Sequence, residues 1–336
     1  MTASSSGATA DRPRVLVTQR IPEPALERLR AVAEVTLPPS PDRIPERAEL
    51  VALLREHAYA LVLLTDRVDA DLLAASSGLR IVANMAVGYD NVDVAAATAR
   101  GVMVTNTPGV LTETTADLAW ALILAVARRI VEADRYVRAG KWTHWGPLLM
   151  LGTDVHGKTL GIVGLGRIGQ AVARRAQGFG MRVLYHSRHP VPDEVEQALG
   201  ARYVALADLL RESDFVSIHC PYNASTHHLI DGTALARMRP TAYLVNTARG
   251  PIVDETALVD ALWTGRLAGA GLDVFEGEPA VRPGLLDLDS VVLLPHIGSA
   301  SLETRARMAL MAAENIVAAI EGRRPPNLVN PEVLSR

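Results

Sequence analysis

Residues 159 to 169 read Thr159-Leu160-Gly161-Ile162-Val163-Gly164-Leu165-Gly166-Arg167-Ile168-Gly169, and this stretch decides the fold class. A short apolar run meets glycines spaced Gly-x-Gly-x-x-Gly, and a helical pattern then continues to about Phe179. Strand, glycine turn and helix in succession are the context that a phosphate-cradling turn requires. Gly164 permits the tight turn, Gly166 lets the backbone approach a pyrophosphate, and Gly169 lets helix pack on strand, while the helix N-terminus offers N–H groups to negative charge. A dinucleotide is expected on Gly164, Leu165, Gly166, Arg167, Ile168 and Gly169. A site for NAD(H) usually carries a carboxylate ~20 positions on, where it takes the ribose hydroxyls. Here that place reads Tyr185-His186-Ser187-Arg188 and holds no carboxylate. Ser187 and Arg188 instead suit a 2′-phosphate, to which a guanidinium makes charge-assisted hydrogen bonds. NADP(H) is therefore the preferred cofactor, with NAD(H) left open because an arginine also stands at such a place simply to face water.

Outward from this turn, short apolar runs alternate with helical patterns in both directions. Strands are expected at 14–18, 60–65, 80–84 and 102–106, with helices at 24–33, 69–76 and 92–100; strands follow again at 182–187, 215–219, 243–246, 269–274 and 291–294. This is the alternation of an α/β chain with parallel sheets. Between the two series lies an apolar segment that reads as one long helix over 114–139, opened by a capping box of Thr114 and Asp117, stopped at Gly140, and buried between two domains. Lys141 to Gly157 is irregular yet carries Trp142, Trp145, Pro147 and Leu148-Leu149-Met150-Leu151. Such a segment packs on a partner subunit or is tucked against its own domain. A last helix over 301–321 is expected to return to the first domain.

The chain has 336 residues, 49% hydrophobic and 21% charged, which suits two globular domains. With Lys+Arg 34 against Asp+Glu 37, a net charge of −3 gives no excess positive field, so nucleic acid and anionic lipid are not expected partners. One cysteine, Cys220, makes neither an internal disulfide nor a zinc pattern and fits a reducing, cytoplasmic setting; no metal is expected. Met1 to Asp11 is small and polar without a basic start or apolar centre, and reads as a tail rather than a secretory signal. The most apolar run, Leu118 to Ala127, is bracketed by Asp117 and Arg128 and falls far short of the ~20 residues that span a bilayer.

Three further stretches each put a polar residue just beyond a strand: Asn246-Thr247-Ala248-Arg249-Gly250, Phe275-Glu276-Gly277-Glu278-Pro279 and Leu294-Pro295-His296-Ile297-Gly298. In a doubly wound sheet, strand C-termini are where ligands bind. With the glycine turn, with Val87-Gly88-Tyr89-Asp90-Asn91-Val92-Asp93, and with Thr107-Pro108-Gly109-Val110-Leu111-Thr112-Glu113-Thr114-Thr115-Ala116, the chain resembles the D-isomer-specific 2-hydroxyacid dehydrogenases, and within them the glyoxylate/hydroxypyruvate reductase branch. The resemblance spans nearly everything after the N-terminal tail.

The resemblance implies two doubly wound parallel-sheet domains: a flavodoxin-like substrate domain of residues 12–109 completed by 300–336, and a Rossmann dinucleotide-binding domain of 110–299, closing on each other to exclude water. It implies NADPH-dependent reduction of a small 2-keto acid to the D-2-hydroxy acid. His296 is then the proton donor, Glu278 the partner that fixes its tautomer and favours the protonated ring, and Arg249 the fork that binds substrate carboxylate and keto oxygen. Val87 and Gly88 are implied to bind the substrate carboxylate through their backbone, with Leu64 lining the pocket and Trp142 reaching across a homodimer toward the neighbour's site. Thr115, Pro221, Thr226, Thr247, Asp273 and Gly298 are implied cofactor contacts, although Thr115 also suits a cap or packing role and Asp273 a bond to its own loop. Cys220 reads as a small hydrophobe near the cofactor rather than a nucleophile. Other readings are a phosphoglycerate or D-lactate dehydrogenase of the same superfamily, and a dinucleotide-sensing protein like the corepressors that share its sequence pattern.

Overall fold

The computed structural model describes residues 12–335; the N-terminal tail read at Met1 to Asp11 lies outside them. The chain divides into two compact units, one running to Leu111 and resuming at Ser301, the other running from Thr112 to Ala300. In the first, β1 (Arg14–Val17), β2 (Glu34–Thr36), β3 (Tyr59–Val62), β4 (Ile81–Asn84) and β5 (Met103–Thr105) form a five-stranded sheet in the order β2-β1-β3-β4-β5. Every pairing is parallel. That is the flavodoxin-like order of a doubly wound sheet. The strands that the sequence implies are buried on both faces; β3 and β4 have no exposed residue. The expected last helix, Leu302–Ile320, begins at its Ser301 cap and packs on the Glu23–Arg30 helix and on β3 and β4, with Arg28 on Glu314 at 2.6 Å. After it the buried Asn330 accepts from the Val104 N–H and donates to the Val102 carbonyl, so the C-terminal segment finishes the edge of this sheet.

The second unit holds β6 (Thr159–Val163), β7 (Arg182–His186), β8 (Ala201–Tyr203), β9 (Phe215–Ile218), β10 (Tyr243–Asn246), β11 (Gly269–Leu272) and β12 (Val291–Leu293). Their order is β12-β11-β10-β9-β6-β7-β8, again all parallel. The chain thus starts in the middle of the sheet, winds to one edge, and returns to wind to the other. Strand order reverses between β6 and β9, and such a reversal opens the crevice in which dinucleotides bind. Alternate side chains feed two cores. Leu160, Ile162, Phe215 and Val245 pack on one face, and Val163, Val216, Ile218 and Leu244 on the other.

The short strands β2 and β8, a helix at Arg47–Arg55, and the second unit's helices at Asp193–Leu199, Leu206–Glu212, Gly232–Arg237, Glu255–Trp263 and Pro283–Leu286 lie outside the expected elements. The larger correction concerns 114–139. The helix there starts at Thr112 and ends at Ala127, and a second runs over Ile130–Arg138, with Arg129 in the left-handed region at φ 55°. The break has a tertiary cause, because residues 151–153 cross the end of the first helix. Thr153 donates to the Ala127 carbonyl at 2.8 Å, Arg129 Nη1 donates to the Leu151 carbonyl at 3.3 Å, and a side chain on Gly152 would start 2.4 Å from the Ala127 oxygen. Thr114 is then inside the helix rather than capping it, and Asp117 pairs with Arg175 instead. The first helix is buried by its own unit: Trp120 donates to the Val172 carbonyl and stacks on Phe179 at 4.5 Å.

Candidate active site

The sequence-implied residues of the second unit cluster at one rim of its sheet. Gly164 follows β6, Ser187 and Arg188 follow β7, Pro221 and Thr226 follow β9, Thr247 and Arg249 follow β10, Asp273 and Glu278 follow β11, and His296 and Gly298 follow β12. Because all these strands are parallel, every one of these loops leaves the same rim. Leu64, Val87 and Gly88 occupy the equivalent rim of the first unit, after β3 and β4.

The glycine turn is built as a ligand cradle. Gly164 has φ +98°, and a side chain there would start 2.5 Å from the Cys220 nitrogen, where the loop after neighbouring β9 begins. Around Gly166, by contrast, nothing lies within 4 Å of where a side chain would begin. The helix it opens has no side-chain cap, and its first backbone bond is from Gln170 to the Gly166 carbonyl, so the Arg167, Ile168 and Gly169 N–H groups precede the helical ladder. Ser187 Oγ accepts from the Leu165 N–H at 2.8 Å and ties the end of β7 to this turn. Arg188 beside it is exposed, and makes no ion pair with a described residue. Thr247 is buried and its hydroxyl has no hydrogen-bond partner, a cost of about 1–3 kcal/mol unless a ligand takes it. An uncapped helix end, open space over Gly166 and an unsatisfied buried hydroxyl together fit a dinucleotide. Burial pushes the Cys220 thiol up to about 11, so it rests as a neutral, unreactive group.

His296 and Glu278 meet: Nδ1 of the ring lies 2.8 Å from Oε2 of the carboxylate. Glu278 Oε1 accepts from the Phe275 N–H at 2.9 Å, which folds the loop back on itself and aims the second oxygen at the ring. Burial pushes the Glu278 carboxyl up, but the His296 ring, the Phe275 N–H and the Arg249 charge outweigh it and hold it below the ordinary carboxylate value. His296 has a left-handed backbone at φ 54°, fixed by its N–H on the Asp273 carbonyl at 2.9 Å. The Asp273 carboxylate, wholly buried, accepts from the Ile297 and Gly298 N–H groups at 2.7 Å each. Its oxygens thereby shape the His296 loop. Thr115 packs against the same place, with its methyl 3.5 Å from where a Gly298 side chain would begin.

Arg249 is carried on the loop after β10, whose shape is set by Asn246. Asn246, buried, donates to the Arg249 carbonyl at 2.9 Å and accepts from the Ala248 N–H at 3.0 Å, an Asx turn that sets the loop's shape. Gly250 then lies flat on the next loop: a side chain there would start 1.9 Å from the Phe275 carbonyl carbon. Glu255, also buried, accepts from the Glu276 N–H at 2.7 Å. The signal for these positioning groups was present as an asparagine at a strand end followed by Arg-Gly, but its meaning depends on which loop lies alongside. The Thr226 hydroxyl donates to the Pro221 carbonyl and accepts from the Asn223 N–H, closing its own loop. Trp142 is 58% exposed, in a run where Trp145 is 78% and Leu148 79% exposed.

In the first unit the Val87 carbonyl takes the Asn106 amide at 2.8 Å and the Gly88 carbonyl takes the Asn84 amide at 3.0 Å. The Val87 and Gly88 N–H groups donate to no described residue. Among the described residues no cluster of His, Cys, Asp and Glu suits a metal ion, and no helix is long and apolar enough to cross a membrane.

A family model for the D-isomer specific 2-hydroxyacid dehydrogenase NAD binding domain matches residues 120–298. The chain is 57% identical over 332 residues to a glyoxylate reductase of Korarchaeum cryptofilum, covering 96% of this chain and 97% of that one. In structure it is similar to the TT0316 protein of Thermus thermophilus, with TM-score 0.88 and 49% identity over 94% of this chain and 99% of that one. It is also similar to an NADPH-dependent glyoxylate/hydroxypyruvate reductase of Sinorhizobium meliloti solved with NADP and malonate, with TM-score 0.85 and 39% identity over 96% and 98% of the two chains.

Proposed function

Because the chain belongs to the D-isomer-specific 2-hydroxyacid dehydrogenase family and is an NAD(P)-dependent oxidoreductase, we propose that it reduces glyoxylate, and hydroxypyruvate as a second substrate, to the 2-hydroxy acid with NADPH preferred over NADH. The observation that carries the reading is the His296–Glu278 hydrogen bond of 2.8 Å, made between loops at one sheet rim with the Arg249 loop packed against them. A dinucleotide held at the glycine turn would supply the hydride for the keto carbon. With Nδ1 held by Glu278, the His296 ring has Nε2 left for the keto oxygen, to which it gives the proton. Arg249 binds the substrate carboxylate and keto oxygen, drawing electron density from the carbon under attack. On their own unit the Val87 and Gly88 N–H groups, which have no described acceptor, suit a carboxylate of a small acid, with Leu64 on the same rim.

In this assignment the unit around β1–β5 is the substrate domain and the unit around β6–β12 the dinucleotide domain. Gly164, Leu165, Gly166, Arg167, Ile168 and Gly169 would hold the pyrophosphate, the Thr247 hydroxyl would find its partner on the cofactor, and Ser187 and Arg188 would take a 2′-phosphate. Pro221, Thr226, Thr115 and Gly298 line the cofactor path, with Asp273 acting through the loop it shapes. The exposed run at Trp142, Trp145 and Leu148 is the face of a homodimer, with Trp142 offered to the neighbour's substrate. A reducing cytoplasm suits the lone Cys220.

Initial rates with glyoxylate, hydroxypyruvate and pyruvate, each against NADPH and NADH, test the reading. Glyoxylate or hydroxypyruvate with NADPH is expected to give the highest kcat/KM. Failure of every keto acid to oxidise either cofactor overturns the activity, and a large preference for NADH overturns the role given to Ser187 and Arg188 alone.

A further inference from the structure

Three of the loops at the active rim of the β6–β12 sheet meet at one residue outside the family-implied set, His228. It lies in the loop after β9, two residues beyond Thr226, with its backbone in the left-handed region at φ 49°. Non-glycine residues hold that conformation only where their surroundings impose it. Here the surroundings are the other two loops. The His228 N–H donates to the Pro251 carbonyl at 2.9 Å, two residues past Arg249, and its Nε2 hydrogen-bonds Glu276 Oε1, two residues before Glu278. Glu276 is held from its far side as well: its N–H donates to buried Glu255 at 2.7 Å and its second oxygen takes Arg282 Nη2 at 3.3 Å. The groups facing His228 are therefore Glu276, with Glu255 and Arg282 behind it, and the His227 ring stacked 4.0 Å away, itself held by the Tyr222 hydroxyl at 3.3 Å.

We infer that His228, through Glu276, is a positioning residue that locks the Arg249 loop and the Glu278 loop into one register. The inference rests on the reductase reading above and names a residue on which its rate depends. Neither His228 nor Glu276 touches the reacting atoms. Their effect passes through Glu278, whose bond of 2.8 Å holds the His296 ring in place, and through Arg249, whose fork must meet the same substrate. Misplacing reacting groups by about 1 Å costs on the order of 100-fold in rate, so loss of the lock acts on kcat while the glycine turn, which it does not touch, keeps the dinucleotide.

The test compares His228→Ala, His228→Gln, Glu276→Ala and the double alanine variant with the unmodified enzyme in glyoxylate reduction. For each, kcat and KM are measured across pH, and NADPH affinity by fluorescence titration. His228→Ala and Glu276→Ala are each expected to lower kcat roughly 10–100-fold and to leave NADPH affinity within about twofold. The double variant is expected to be no worse than either single one, because both remove one lock. His228→Gln, which keeps a donor for Glu276, is expected to restore most of the rate. Additive losses, no rescue by His228→Gln, or rate and NADPH affinity falling together overturn the inference. An unmodified enzyme inactive with every keto acid instead overturns the reductase reading on which it rests, and the two failures are distinct.

Discussion

At His296 one ring nitrogen is committed to a carboxylate and the other is left for chemistry, so the electrostatics of Glu278 govern the proton. Burial raises the Glu278 carboxyl, but its bond to the ring, the Phe275 N–H and the Arg249 charge hold it below its ordinary value. Glu278→Gln keeps the hydrogen bond but removes the charge. Because the group removed ionises below the ordinary carboxylate range, the acid-side fall that its protonation brings is expected to disappear from kcat/KM against pH. Arg249→Ala is expected to lower kcat/KM for glyoxylate by roughly 10²–10³, with Arg249→Lys recovering little because a point charge does not replace a planar fork. Arg188→Ala removes an exposed guanidinium with no ion-pair partner among the described residues, at a cost in NADPH affinity of about 10–100-fold and little in that for NADH. Competition binding of the two cofactors measures this directly. At this scale the sequence pointed to Glu278 and His296 as a pair, and the structure brings the two to 2.8 Å. The sequence was unreadable where a polar group serves its neighbours: Asp273 spends both oxygens on Ile297 and Gly298, which no spacing of letters announces.

Elements carry the tolerances that hold these groups in place. Gly250 packs so closely on Phe275 that an added methyl must displace backbone, its first carbon falling 2.1 Å from the Phe275 oxygen. Gly250→Ala is expected to cost about 1–3 kcal/mol of stability and a larger share of kcat, checked by thermal unfolding alongside turnover. Gly178→Ala, on the helix after the glycine turn with nothing within 4 Å of the new carbon, serves as its control and is expected to stabilise by about 0.5–1 kcal/mol. The central strands and the glycine turn were legible because both faces of each strand are apolar and the glycines punctuate them. The edge strands Glu34–Thr36 and Ala201–Tyr203 were not, since three residues with exposed members leave no periodicity to read. Nor was the break at Arg129, where no proline or glycine interrupts the helical pattern and the cause sits at 151–153, more than twenty residues away in the chain.

For the whole molecule, the exposed run that includes Trp145 and Leu148 sets the expected assembly. Replacing both by serine is expected to shift a dimer toward monomer in sedimentation velocity, with NADPH binding retained and turnover reduced if Trp142 serves the neighbouring site. Sheet order was the part of the fold that letters alone reach least. Alternating strands and helices imply parallel sheets, yet only the winding from β6 to one edge and from β9 to the other explains why loops over a hundred residues apart share a rim. Two unlike ends follow from that winding. The turns that enter the strands, such as Gly157 before β6, Gly180 before β7 and Gly265 before β11, belong to the far end and bear none of the reactive groups. They are the places to graft a fluorophore, an immobilisation handle or a second enzyme without disturbing turnover.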